Sequence, residues 1–178
     1  MENIDIESQR LLFTRLSKKH VSSEYVSWIN DPEVNMYLET RGNYTLNLLI
    51  SYIEEQYKKE VYFWAIHRKD TNTHIGNIKI DPIDIETMSG EYGILIGDKL
   101  SWGKGFAKEA TTQIIEYCFE ELKLSKITLG VIEDNIKATS LYKNIGFVVD
   151  EKKEEVGTYN NKLCNALRMS LNVKNFKR

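Results

Sequence analysis

Apolar and polar positions alternate with a period of two from Arg10 to Leu16, which predicts a first strand with Leu11 and Phe13 on one face and Leu12 and Thr14 on the other. From Val21 the period lengthens. Val21, Tyr25, Trp28 and Ile29 form a helical stripe that closes at Asn30, where Asp31-Pro32 breaks the helix. A short helical piece over Glu33–Leu38 and a polar loop through Arg41, Gly42 and Asn43 follow. Thr45 is suited to cap a helix running to Lys59, with Leu46, Leu49, Ile50 and Ile53 as its apolar face. The period then returns to two. Val61–His67 and His74–Ile80 read as strands joined by the turn Asp70-Thr71-Asn72, and Gly90–Ile96 reads as a third. After the glycine-containing loop Gly97–Gly105, a helix runs to about Leu122 with Ala107, Ala110, Thr111, Ile114 and Cys118 at helical spacing. Lys126–Ile132 is a further strand. Asn135–Asn144 is a helix stopped at Gly146, a residue suited to the left-handed position after a helix. Phe147–Val156 and Leu163–Leu171 form a closing hairpin. This order predicts a mixed α/β (α+β) sheet with helices on its faces.

Composition narrows the class. The 178 residues suit one domain, 1–178, and show no repeat, linker or low-complexity tract. With 42% hydrophobic and 28% charged residues the chain reads as globular. A formal charge of −2 disfavours nucleic acid as a partner. Cys118 and Cys164 fall in a helix and a strand, as two small buried hydrophobes of a reducing compartment would. His20, His67 and His74 are scattered without ligand spacing, so no metal site is expected. No apolar run approaches the roughly 20 residues that span a bilayer. The polar, acidic stretch Met1–Arg10 is no signal peptide, so a cytoplasmic location is expected.

The stretch Trp102-Gly103-Lys104-Gly105-Phe106-Ala107 carries the clearest chemistry. Glycines let a backbone approach a ligand closely, and the helix that starts there offers unpaired N–H groups and a positive dipole end. Together they make an anion site suited to a pyrophosphate, with Lys104 and Lys108 adding charge at its rim. Neither the nucleoside-triphosphate loop nor the dinucleotide fingerprint is present, since Lys108 stands at the third glycine position of the latter. By itself the loop reads equally well as a tight connection between strand and helix.

Its surroundings change the picture. Glu91–Asp98 followed by Trp102–Ala110 resembles motif A of the GNAT acetyltransferases, Q/R-x-x-G-x-G/A, with Gly105 and Ala107 in the last two fixed positions. Trp102 stands where many members have Gln or Arg, but W-G-K-G-Y/F-A is a usual spelling in the RimJ/RimL-like branch. Trp28-Ile29-Asn30-Asp31-Pro32-Glu33-Val34 resembles the W-x-N-D-P-E-V of the same branch, and Asn135 to Phe147 resembles motif B, N-x-x-A-x-x-L-Y-x-x-x-G-F. Three matches in the expected order cover most of the chain.

The resemblance implies a central sheet of about six to seven strands splayed at a bulge, with helices on both faces. It implies acetyl-coenzyme A as co-substrate, no metal, and direct attack by a primary amine in a ternary complex. Ile94, Leu95 and Ile96 would offer backbone groups to the pantetheine arm, one amide polarising the acetyl carbonyl. Gly103, Lys104, Gly105, Phe106, Ala107 and Lys108 would hold the pyrophosphate through N–H groups, and Asn135 would bond the pantetheine. Tyr142, seven residues after Asn135 and so on the same helix face, would protonate the leaving thiolate. Some relatives carry a Glu general base on the strand after the motif A helix. Gly130 stands there, so Glu91 is the substitute base, acting directly or through water, with Glu133 behind it.

The acceptor site in such enzymes draws on the N-terminal helices and the final hairpin. Here these offer Trp28, Asn30, Arg41 and Tyr44, with Tyr37, Glu39, Tyr159 and Asn160 nearby in sequence. A peptide N-terminus or another small amine is the expected acceptor, a nucleotide-linked amino sugar the alternative, and a non-catalytic coenzyme A sensor the alternative of another class. The resemblance fits a monomer or homodimer without a membrane partner.

Overall fold

The computed structural model describes residues 5–38, 42–159 and 162–177. In chain order the elements are β1 (Ile6–Glu7), β2 (Leu11–Arg15), α1 (Ser23–Asn30), α2 (Leu46–Lys58), β3 (Tyr62–Arg68), β4 (His74–Asp84), β5 (Ser89–Ile96), α3 (Phe106–Glu120), β6 (Lys126–Ile132), α4 (Ile136–Ile145), β7 (Val148–Tyr159) and β8 (Lys162–Asn172). The strands form a mixed sheet of eight in the order β1-β2-β3-β4-β5-β6-β8-β7. The eighth strand, beyond the six to seven expected, is β1, whose two residues are too few to show a period. Contacts divide the chain into two compact units, Met1–Asp81 with Gly93–Gln113, and Pro82–Tyr92 with Ile114–Arg178.

In the first unit, both early helices begin at hydroxyl caps. Ser22 accepts the Tyr25 N–H at 3.0 Å, and Thr45 accepts the Leu48 N–H at 3.2 Å. Tyr25, Trp28 and Ile29 of α1 and Leu49 and Ile53 of α2 pack with Leu16, Phe63 and Ala65 into one apolar core. Leu46, expected on that face, is 46% exposed, because it sits at the first helical position ahead of the turn that meets the core. The expected helical piece Glu33–Leu38 is a run of turns instead. The N–H groups of Val34 and Asn35 both return to the Asp31 carbonyl, and the Asn35 side chain donates to the Ile29 carbonyl at 2.8 Å. An amide side chain bonding the backbone closes a turn where a helix would need that carbonyl.

The three histidines meet in this unit, His67 and His74 as register partners of β3 and β4 and His20 from the turn before α1. Their ring centroids lie 5.4, 5.5 and 5.2 Å apart, for His20–His67, His20–His74 and His67–His74. Burial, helped by the neighbouring rings, pushes His20 down to about 3 and His74 to about 4. Both are therefore neutral packing groups at pH 7. Among the described residues no set of His, Cys, Asp and Glu is arranged to hold a metal ion. Trp28 packs edge-on against His74, with centroids 5.0 Å apart, and its ring fills the space a side chain at Gly97 would need.

β4 runs to Asp84, four residues past the expected end at Ile80. Pro82 lies at the exposed end of the strand, where a missing N–H costs little. Asp84 then accepts the N–H groups of Glu86 and Thr87 at 2.8 and 3.2 Å and turns the chain into β5.

In the second unit, β6 has the predicted bounds and pairs along its whole length with β8. Ile114, Ile115 and Cys118 of α3, Ile127 and Leu129 of β6, and Met169 and Leu171 of β8 are all essentially inaccessible. Asn135 caps α4 by accepting the Ala138 N–H at 3.2 Å, and Gly146 ends the helix with φ +114°. β7 starts one residue later than expected and runs three residues past Val156, and β8 extends one residue beyond its expected bounds at each end. Cys118 and Cys164 are buried free thiols. No helix among the described residues is long and apolar enough to cross a membrane.

Candidate active site

The loop after β5 belongs to the first unit and is tied down at several points. The N–H groups of Gly97 and Asp98 return to the Ile75 carbonyl at 2.9 and 3.1 Å. Asp98 accepts the Leu100 N–H at 3.0 Å and the Ser101 hydroxyl at 2.6 Å, which closes a single tight turn. The Trp102 indole donates to the Ile96 carbonyl at 2.9 Å, so the side chain at the motif's variable position ties the loop back to the strand end. Ile94, Leu95 and Ile96, the expected pantetheine contacts, are half-buried.

Gly103 and Gly105 take φ of +73° and +81°, in the left-handed region that glycine enters at no steric cost. The first i→i−4 bond of α3 runs from the Glu109 N–H to the Gly105 carbonyl at 3.1 Å. Within the described residues no hydrogen bond takes up the N–H groups of Gly103, Lys104, Gly105, Phe106, Ala107 or Lys108. Backbone donors left open at a helix N-terminus are the kind of group that receives an anion. Phe106 is buried, while the Lys104 and Lys108 side chains are exposed at the rim.

A feature beyond the sequence reading supports this loop. Glu109, in the first turn of α3, accepts the Arg10 N–H at 2.7 Å, the Arg10 Nε at 2.6 Å and the Ser8 hydroxyl at 2.7 Å. Arg10 Nη1 also donates to the Lys104 carbonyl at 3.0 Å, and its guanidinium stacks 4.5 Å above the Phe106 ring.

Asn135, Tyr142 and Glu91 belong to the second unit. Asn135 Oδ1 is used by the cap, and its Nδ2 bonds no described residue. Tyr142 is 7% exposed. Its ring meets Tyr92 edge to face at 5.9 Å and Phe147 at 5.7 Å. Burial pushes its hydroxyl up to about 12, so it keeps its proton through the neutral range. Glu91, the expected base, is engaged on both oxygens. Arg168 donates to it through Nη1 and Nη2 at 2.6 and 2.8 Å, and Thr128 Oγ1 donates at 2.6 Å. Burial alone raises its pKa, but the hydrogen bonds from Arg168 and Thr128 outweigh that and hold it below the ordinary carboxylate range. A group so held stays ionised and is unsuited to take a proton from an amine. Gly130 explains the route. It pairs with Arg168 in the β6–β8 ladder, and with no side chain there the guanidinium passes over β6 to Glu91 on β5. Glu133, the second carboxylate, is paired with Lys152 at 2.9 Å and accepts from Asn165 at 3.0 Å.

Residues 10–148 match the family model described as an acetyltransferase (GNAT) domain. The chain belongs to the GNAT family. It is accordingly an acetyl-coenzyme A-dependent N-acetyltransferase. It is 30% identical to the acetyltransferase PseH of Campylobacter jejuni over 80% of this chain and 86% of that one. It is 35% identical to the spermidine N(1)-acetyltransferase of Vibrio cholerae over 54% of this chain and 57% of that one. The crystal structure of a Vibrio cholerae spermidine N-acetyltransferase in complex with CoA and spermine has the same fold, with a TM-score of 0.85 at 22% identity over 94% of this chain and 98% of that one.

On the acceptor side of this GNAT enzyme, the structure redistributes the expected residues. Trp28 is 6% exposed and lies in the core. Asn30 is a staple, its Nδ2 donating to the Tyr44 carbonyl at 2.9 Å and its Oδ1 accepting the Tyr44 N–H at 2.8 Å. Tyr44 itself is half-buried, and burial raises its pKa. Arg41, with Glu39 and Asn160, lies outside the described residues. Tyr52, absent from the expected set, is pushed up to about 12, first by burial and then by Tyr44, Asp81 and Glu55.

Proposed function

We propose that Gly103–Lys108 hold the pyrophosphate of acetyl-coenzyme A and that Tyr142 donates the proton to the departing thiolate. The observation that carries this is the run of six backbone N–H groups with no acceptor among the described residues. These donors are fixed in place, so little ordering is needed when an anion arrives. Acetyl-coenzyme A supplies an acetyl group activated as a thioester. Asn135 Nδ2, which bonds no described residue, serves the pantetheine arm, and Ile94, Leu95 and the N–H of Ile96 offer it backbone groups. The amine attacks directly. Burial pushes the Cys118 thiol far up, so it is a poor nucleophile. With Glu91 clamped by Arg168, the amine gives its proton to water.

For the acceptor we infer a primary amine carried by a small cation or a peptide N-terminus, in an enzyme of the RimJ/RimL-like branch working as a single domain. The similarity to a spermidine acetyltransferase supports the small cation, and two buried free thiols suit a reducing, cytoplasmic setting. The test is free-thiol release from acetyl-coenzyme A with spermidine, a Ser-initiated peptide and a nucleotide-linked amino sugar as acceptors. Faster release with spermidine or the peptide is expected. Release with the amino sugar alone would overturn this choice of acceptor.

A further inference from the structure

Arg10 stands in the bend immediately before β2, outside every motif, and yet it bonds two parts of the candidate cofactor loop. Its Nε pairs with Glu109 at 2.6 Å, its Nη1 donates to the Lys104 carbonyl at 3.0 Å, and its guanidinium lies 4.5 Å above the Phe106 ring. The side chain is 46% exposed, whereas Glu109 is 16% exposed. Its Nη2 lies 3.5 Å from where a side chain at Gly105 would begin.

The geometry points to Arg10 as the positioning residue that aims the anion cradle, an inference that rests on the pyrophosphate reading of the loop. In a trans peptide the C=O and the following N–H point in opposite directions. The Lys104 carbonyl and the Gly105 N–H belong to one such peptide. Holding the carbonyl on Arg10 therefore turns the unpaired Gly105 N–H away from Arg10, toward the open side of the loop. Gly105, at φ +81°, gives that peptide the freedom to rotate, so something must fix it. Arg10 does so from the bend that leads into β2, and Glu109 fixes Arg10 in turn. A planar guanidinium can serve a carboxylate and a carbonyl at once through separate N–H groups. A lysine ammonium is a point charge and cannot hold both in the same geometry.

The test compares affinity for coenzyme A with affinity for pantetheine, which lacks the pyrophosphate, both measured by NMR titration of the full chain. Wild type is expected to favour coenzyme A strongly. Arg10→Ala is expected to weaken coenzyme A about tenfold, the scale of one hydrogen bond to a charged group, and to leave pantetheine unchanged. Arg10→Lys keeps the charge beside Glu109, is expected to melt like wild type, and still lowers the preference several-fold. It carries the test if the alanine variant does not fold. A wild-type preference in both variants, or in Arg10→Lys alone when the other is unfolded, would overturn the role of Arg10 while leaving the cradle intact. Equal weakening of both ligands would make Arg10 a support of the fold and also overturn it. If wild type itself does not distinguish the two ligands, the pyrophosphate reading falls and the role of Arg10 falls with it.

Discussion

Tyr142→Phe is expected to lower kcat by about a hundredfold or more, the range for loss of a general acid, while the KM for acetyl-coenzyme A changes by no more than a few-fold. The variant removes one oxygen and keeps the ring. Tyr142 packs edge-on against Tyr92 at 5.9 Å and beside Phe147 at 5.7 Å, and both contacts survive as Phe. No described residue is hydrogen-bonded to the hydroxyl, so its removal strands no partner. Loss of fold is therefore not expected to confuse the result, and equal melting temperatures check this. The pH profile adds a second signature. With the hydroxyl pushed up to about 12 by burial, wild type should show no loss of rate from Tyr142 ionisation up to about pH 10. Full activity in Tyr142→Phe would remove the acid role.

Trp28→Ala is expected to cost about 3–5 kcal/mol of stability, the range for deleting a large buried aromatic. The ring is 6% exposed, packs on Tyr25 at 5.5 Å and His74 at 5.0 Å, and occupies the space over Gly97. Removing it opens a cavity under the end of β5. The melting temperature should fall by roughly 10 °C for a chain of this size. Measured well below that midpoint, the KM for the acceptor should change little. A stable variant with a much raised acceptor KM would return Trp28 to the acceptor site.

These two residues show what the sequence could and could not carry. Local signals were sound. Thr45 caps the helix it was expected to cap, Gly146 takes the left-handed position, and β6 has the expected bounds. Gly103 and Gly105 at the head of a helix are likewise a local pattern, and the unpaired N–H groups of the cradle follow from it. Partners distant in sequence were not legible. Arg10 and Glu109 are 99 positions apart, and nothing in either neighbourhood signals the pair. His67 and His74 meet across the β3–β4 hairpin, but only the packing of the first unit brings His20 to them. Glu91 looked like a free strand carboxylate because its partner, Arg168, is 77 positions away and reaches it over Gly130. Trp28 supports two readings. An aromatic beside polar residues in a functional motif invites a ligand role, while the same helix stripe places it with Tyr25 and Ile29 in the core.

The central claim is that the backbone of Gly103–Lys108 binds the pyrophosphate. The most direct measurement is a crystal structure of the chain with coenzyme A. Pyrophosphate oxygens should lie about 2.7–3.2 Å from several of these N–H groups, the ordinary hydrogen-bond range. A pyrophosphate bound elsewhere, with the six N–H groups still unpaired, would contradict the account.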